Sequence, residues 1–133
     1  MIVYCDSCIL IYLIDHTGLW NQRAMDRLSR LAGAGDFPAT SDLVRLECRV
    51  GPMQLGDQAR LAVFDAFFAR TDVRQVSIDS RVFERATTIR ARHRFKLGDS
   101  LHLAAAAEAG CDAFLTNDHR LAGFADIPVE VLV

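Results

Sequence analysis

The sequence carries one lysine against fourteen arginines, three prolines and one tryptophan, and no apolar run longer than Cys8 to Ile14. Such a run is far short of the about 20 residues needed to cross a bilayer. No Lys or Arg precedes Arg23, so the charged start of a secretory signal is missing, and a cytoplasmic location without membrane contact is expected. Charge of one sign is also missing. Fifteen basic and seventeen acidic residues leave a net charge of -2, which removes the broad basic footprint of many nucleic-acid-binding proteins, so any such footprint has to be local. No repeat, low-complexity tract or linker-like stretch divides residues 1–133, which read as a single domain. At 51% hydrophobic, a chain of this length buries roughly two thirds of its unfolded surface, which excludes disordered and fibrous classes. The four cysteines lack a paired CxxC pattern for zinc and read as reduced, buried thiols.

Short apolar runs alternate with helical patterns. Strands are expected at Ile2–Cys5, Phe37–Thr40, Val73–Ile78, Ala113–Thr116 and Val129–Val133. Helices are expected at Ser7–Asp15, at Asn21–Leu31 closed by Gly33 and Gly35, and from a cap at Ser41 or Asp42 to about Val50, where Gly51 and Pro52 end it. Three more follow at Asp57–Arg70, from Asp79 to about His93, and from Asp99 to Ala109, with Gly98 breaking the pattern between the last two. Strands separated by helices imply an α/β fold with a mainly parallel sheet covered on both faces.

In such sheets ligands bind beyond the carboxyl ends of the strands. Asp6 directly follows the first strand, Asp118 follows the fourth by two residues, and Asp99 opens a helix after a loop. Each alone reads as a cap or turn residue. Glu47 falls on the stripe of Leu43, Leu46 and Val50 and so points toward the core, where a carboxylate needs a proton, a cation or a metal. Acids meeting in one cleft repel one another. A divalent cation removes that repulsion, and carboxylates are the hard oxygen ligands that Mg²⁺ or Mn²⁺ prefers.

These residues match a known pattern. IVYCDSCILIYLI resembles the opening strand, Asp and helix of PIN-domain ribonucleases, SDLVRLECRV their Glu-bearing helix, LGDSLHLAAAAEAG their third acidic motif and FLTNDHRL the fourth. The resemblance spans essentially the whole chain, in the family's order, and the size suits VapC-type toxins of type II toxin-antitoxin pairs. It implies a three-layer α/β/α PIN-like domain with Asp6, Glu47, Asp99 and Asp118 as catalytic and metal-holding acids, accompanied by Ser7 and Thr116. It further implies a Mg²⁺- or Mn²⁺-dependent endoribonuclease that cuts structured RNA such as tRNA or rRNA by metal-activated water and leaves a 5'-phosphate and a 3'-hydroxyl. A homodimer and a cognate antitoxin protein complete the implied set. Cys8 departs from the family's small polar residue, and a hydrogen bond to Asp6 is expected to be lost with it.

The basic residues Arg85, Arg90, Arg92, Arg94 and Lys96 precede Asp99, and Arg120 follows Asp118. Of these, Arg92, Arg94, Lys96 and Arg120 are the candidate RNA contacts, against the alternative of a solvated helix face. Two rival functions remain open. A noncatalytic binding or signalling module would share the small alternating fold, although the receiver type needs a Lys after a late strand. A dithiol oxidoreductase would use Cys5 and Cys8, but Asp6 between them disfavours a thiolate. Asp79 reads as a helix cap and Asp112 and Asp126 as turn residues. His102 reads as a packed histidine, with the cleft as its alternative, and His119 beside Asp118 as a possible phosphate contact.

Overall fold

Four of the six helices start on a side chain that caps their first turn. The computed structural model describes residues 1–133. Strand β1 (Ile2–Cys5) gives way to helix α1 (Ser7–Asp15), capped by Asp6, whose carboxylate accepts the Ser7 N–H, and α2 (Leu19–Gly33) follows. Ser41 ends β2 (Phe37–Ser41) and caps α3 (Asp42–Gln54) through the Val44 N–H, while Asp57 caps α4 (Gln58–Phe68). After β3 (Arg74–Val76), Asp79 caps α5 (Ser80–His93) by accepting from Arg81 and Val82. Helix α6 (Leu97–Glu108), β4 (Ala113–Thr116), a 3-10 turn at His119–Gly123 and β5 (Val129–Val131) complete the chain.

The five strands form one sheet in the order β3-β2-β1-β4-β5, and every neighbouring pair is parallel. The chain moves outward from β1 to β3, then returns past β1 to lay down β4 and β5. With right-handed crossovers, that reversal places α1 to α4 on one face and α5 and α6 on the other, the three-layer α/β/α arrangement expected from the alternation. It also creates a switch point between the carboxyl ends of β1 and β4, where doubly wound sheets open a crevice. The inner strands are the buried ones: Val3, Tyr4, Phe114 and Leu115 are fully enclosed. Tyr4 and Phe114 are register partners, and their rings stack 5.4 Å apart on the face covered by α6.

Several boundaries differ from expectation. Helix α2 begins at Leu19 and includes Gly33, and Gly35, at φ +75, is the residue that turns the chain. Helix α3 runs through Gly51 and Pro52, because the Pro52 ring is buried and the turn closes beyond it with Leu55 N–H donating to Gly51 O. Gly98 breaks nothing. The long α5 ends on Arg94, at φ 58, and Gly98 and Asp99 both lie in the first turn of α6. Strands β3 and β5 are shorter than expected. The stripe assigned to α3 is also wrong: Val44, Cys48 and Pro52 face the core, while Leu46 is 58% exposed and Val50 43% exposed.

Candidate active site

Asp6 sits at the switch point, 6% exposed, and its two oxygens have separate partners. The Ser7 N–H donates to one at 2.8 Å, and the Thr116 hydroxyl donates to the other at 2.8 Å. Thr116 therefore acts through its hydroxyl, as the motif implied, whereas Ser7 acts through its main chain. The same Thr116 oxygen accepts from the Asp118 N–H at 3.1 Å, so one hydroxyl ties the loop after β4 to the acid after β1. Cys8 Sγ lies 3.9 Å from Thr116 Oγ1 and makes no bond to Asp6, which is held without it.

Burial raises the Asp6 carboxyl above the ordinary aspartate range, opposed by the Thr116 and Ser7 bonds. Asp99, half-buried in the first turn of α6, is raised as well, first by burial, then by the charges of Asp6 and Asp118. The charge of Asp6 is among the causes that raise Asp99, so the two resist ionising together. Asp118 behaves differently. It is chelated by Arg120 through contacts of 2.6 and 3.0 Å, which hold its carboxyl below the usual range, and its oxygen also caps the 3-10 turn. Arg120, expected to meet RNA, is thereby occupied.

Glu47 reaches the crevice from α3, although it lies beside the core stripe rather than on it. Its side chain is 37% exposed and is bonded to Nε2 of His102, while its other oxygen lies 3.8 Å from where a side chain on Gly98 would begin. His102 is 1% exposed, accepts or donates at Tyr4 OH over 2.8 Å, and brings Nε2 to 3.9 Å from Asp6. It is both a packed histidine and a cleft residue. The spacing of Asp99 and His102 on one helix was the available signal, but α6 is buried all round from Ser100 to Ala106, so periodicity could not orient it.

No three His, Cys, Asp or Glu side chains stand together as a ready-made ion cage. Mg²⁺ seldom uses one, because it keeps several waters and takes one or two carboxylates beside a substrate phosphate. Asp6 and Asp99, two hard-oxygen donors raised by burial, the second also by the charge of the first, fit that requirement.

Beside Asp99 lies a hollow of about 190 Å³ lined by Arg94, Lys96, Arg120, His93, Phe95 and Leu121. Arg92, Arg94 and Lys96 are exposed, whereas Arg85 pairs with Glu108 and Asp126 and Arg90 donates to Phe95 O. The thiols offer no redox centre. Cys5 donates into Val3 O on the core side, Cys8 faces Thr116, and burial pushes both up to about 12, so neither is a nucleophile near neutral pH.

Comparison with solved structures shows where this fold recurs. The VapBC2 complex of Rickettsia felis, bound to a DNA fragment from its promoter, superposes with a TM-score of 0.82 at 16% identity over 100% of both chains. VapC20 of Mycobacterium tuberculosis, a sarcin-ricin loop cleaving toxin, gives 0.72 at 18% identity over 95% of this chain and 98% of its own. A Klebsiella pneumoniae toxin-antitoxin complex gives 0.71 at 22% identity over 94% of each. No curated protein matches the sequence. The family model described as PIN domain matches residues 3–127, a span that takes in all four acids and both strands of the switch point, and on that match the chain belongs to the PIN domain family.

Proposed function

We propose that the protein is a divalent-metal-dependent endoribonuclease and the toxin of a toxin-antitoxin pair, acting on structured RNA such as tRNA or rRNA. The observation that carries the reading is Asp6 at the switch point, buried and held on both oxygens by the Ser7 N–H and the Thr116 hydroxyl, with Asp99 in the first turn of α6 close enough to be raised by its charge. Family membership and likeness to VapC toxins support the same reading.

Asp6 and Asp99 would hold Mg²⁺ or Mn²⁺, with Glu47 and Asp118 as the acids beside them. When bound, the ion lowers the pKa of a coordinated water and offsets charge on a phosphate. The chain's own residues set the stage for that chemistry. Thr116 and the Ser7 N–H fix both Asp6 oxygens, so the carboxylate cannot turn away from the crevice. Arg94 and Lys96 sit in the hollow next to Asp99, where they guide an RNA backbone toward the acids. Water rather than the RNA 2'-hydroxyl is the attacking group, so no cyclic phosphate forms, and the family resemblance implies a 5'-phosphate and a 3'-hydroxyl as the ends.

The partners are an antitoxin protein and a second copy of the chain. The fold likeness to toxin-antitoxin complexes supports the first. Light scattering of the purified protein tests the second, with a dimer mass expected and a monomer contradicting it. The decisive experiment incubates the protein with total RNA in Mg²⁺ or Mn²⁺, then with chelator, and maps the ends. Cuts bearing 5'-phosphates that vanish with chelator are expected, together with growth arrest on expression that Asp6→Asn relieves. RNA left intact with the metal present would leave a noncatalytic binding module as the better description.

A further inference from the structure

His102 is enclosed in the core side of α6, yet both of its ring nitrogens are bonded. The chain of contacts starts on another helix. The Val44 N–H donates to Ser41 Oγ at 3.4 Å, Ser41 Oγ lies 2.8 Å from Tyr4 OH, and Tyr4 OH lies 2.8 Å from His102 Nδ1. His102 Nε2 then meets Glu47, which belongs to the same helix that Ser41 caps. The path leaves α3 at its cap, crosses β1 and α6, and returns to α3.

Counting hydrogens gives this path a direction. Ser41 Oγ already accepts from Val44, and its own hydrogen has one neighbour to go to, Tyr4 OH. Tyr4 then spends its hydrogen on His102 Nδ1, which leaves the ring proton on Nε2, facing a Glu47 carboxylate that can only accept. Run in reverse, the path strands the buried Ser41 hydrogen without an acceptor, an arrangement that folded proteins avoid.

We infer that Ser41, Tyr4 and His102 form a one-way hydrogen-bond relay that locks the Nε2–H tautomer of His102 and positions Glu47 over Gly98 at the mouth of the acidic crevice. His102 is thus a positioning residue. The inference rests on the reading of Glu47 as part of a hydrolytic site for its consequence, though the relay itself does not. Groups that orient metal-holding side chains typically contribute 10- to 100-fold in affinity or rate, about tenfold being expected here.

The test uses Tyr4→Phe, which keeps the stack on Phe114 and removes only the hydroxyl, with His102→Leu and His102→Gln. In the metal-free protein, ¹⁵N NMR of the imidazole should show the Nε2–H form, and Tyr4→Phe, which leaves Glu47 as the ring's one partner, should keep that tautomer but shift the Nδ1 resonance and move the Glu47 carboxyl ¹³C resonance. Calorimetry with Mn²⁺ should give affinities about tenfold weaker for Tyr4→Phe and His102→Leu, with His102→Gln, which still offers a donor, recovering to within about threefold. An Nδ1–H or doubly protonated ring in the parent protein overturns the relay, as does a folded Tyr4→Phe whose Nδ1 and Glu47 carboxyl resonances are both unmoved. A parent protein that binds no Mn²⁺ and cuts no RNA refutes the nuclease reading instead, and the NMR arm still decides the relay.

Discussion

Asp6 accepts two hydrogen bonds, and its carboxyl still stands above the ordinary aspartate range because burial outweighs them. The sign of the linkage follows. An acid whose folded pKa is raised binds more protons folded than unfolded, so it lowers stability as pH rises from the usual aspartate range through its folded pKa, and the cost is fully present above that point. Replacing it by Asn should therefore raise the melting temperature of the metal-free protein at neutral pH, and the difference should shrink toward zero as pH falls below the ordinary range. The same substitution should reduce cleavage at least about 100-fold. A lower melting temperature at neutral pH, checked by calorimetry across pH 3 to 8, contradicts the assignment. The thiols give a second prediction at this scale: with Cys5 and Cys8 pushed up to about 12, a Cys8→Ser variant should keep cleavage within a few-fold, and added oxidant should leave the rate unchanged. Asp6 and Asp99 were legible in the sequence because their positions follow from local order, directly after a strand or at a helix start, whereas Thr116 was named through the family resemblance alone. Glu47 was named through its motif and through a stripe of which Leu43 packs on the core but Leu46 and Val50 are exposed, and its bond to His102 spans 55 positions that no periodicity connects.

Caps explain why the elements themselves were largely readable. Asp6, Ser41, Asp57 and Asp79 each offer an oxygen to an N–H one to three residues ahead, an interaction fixed within a few residues of sequence. The misplaced ends have a different origin. Gly51 and Pro52 are helix breakers by local rule, but burial of the proline ring carries α3 one turn further, and Gly98 is accommodated in the first turn of α6, where Glu47 lies against it. Tertiary contact decided both cases. A cap can be tested apart from the acids: Asp79 Oδ1 accepts from Arg81 at 3.1 Å and from Val82 at 3.2 Å, and no acid of the crevice touches it. Asp79→Ala should cost about 1 kcal/mol in urea unfolding. RNA cleavage per folded molecule should be unchanged, and a loss of activity exceeding the loss of folded protein would mean that α5 shapes the crevice directly.

The whole molecule is slightly acidic, so RNA meets no general attraction and must be drawn by a few cations placed well. Three of the basic residues near the crevice are committed elsewhere, Arg85 to Glu108 and Asp126, Arg90 to a main-chain oxygen and Arg120 to Asp118. Arg94 and Lys96 remain exposed beside Asp99. Arg94 also allows charge to be separated from folding, because it adopts φ 58, a conformation that glycine takes without strain. Arg94→Gly with Lys96→Ala should therefore preserve or raise stability while removing two phosphate contacts. In an Asp6→Asn background, which spares the RNA, the slope of log affinity against log salt should become shallower by about 1.4 to 1.8, at roughly 0.7 per contact on single strands and 0.9 on duplex. The weakening should be the same for RNAs of different sequence, since phosphate contacts carry no base information. A slope that does not change, measured by fluorescence anisotropy between low and physiological salt, places the RNA path away from the Arg94 and Lys96 edge and leaves the acids to be approached from α3 instead.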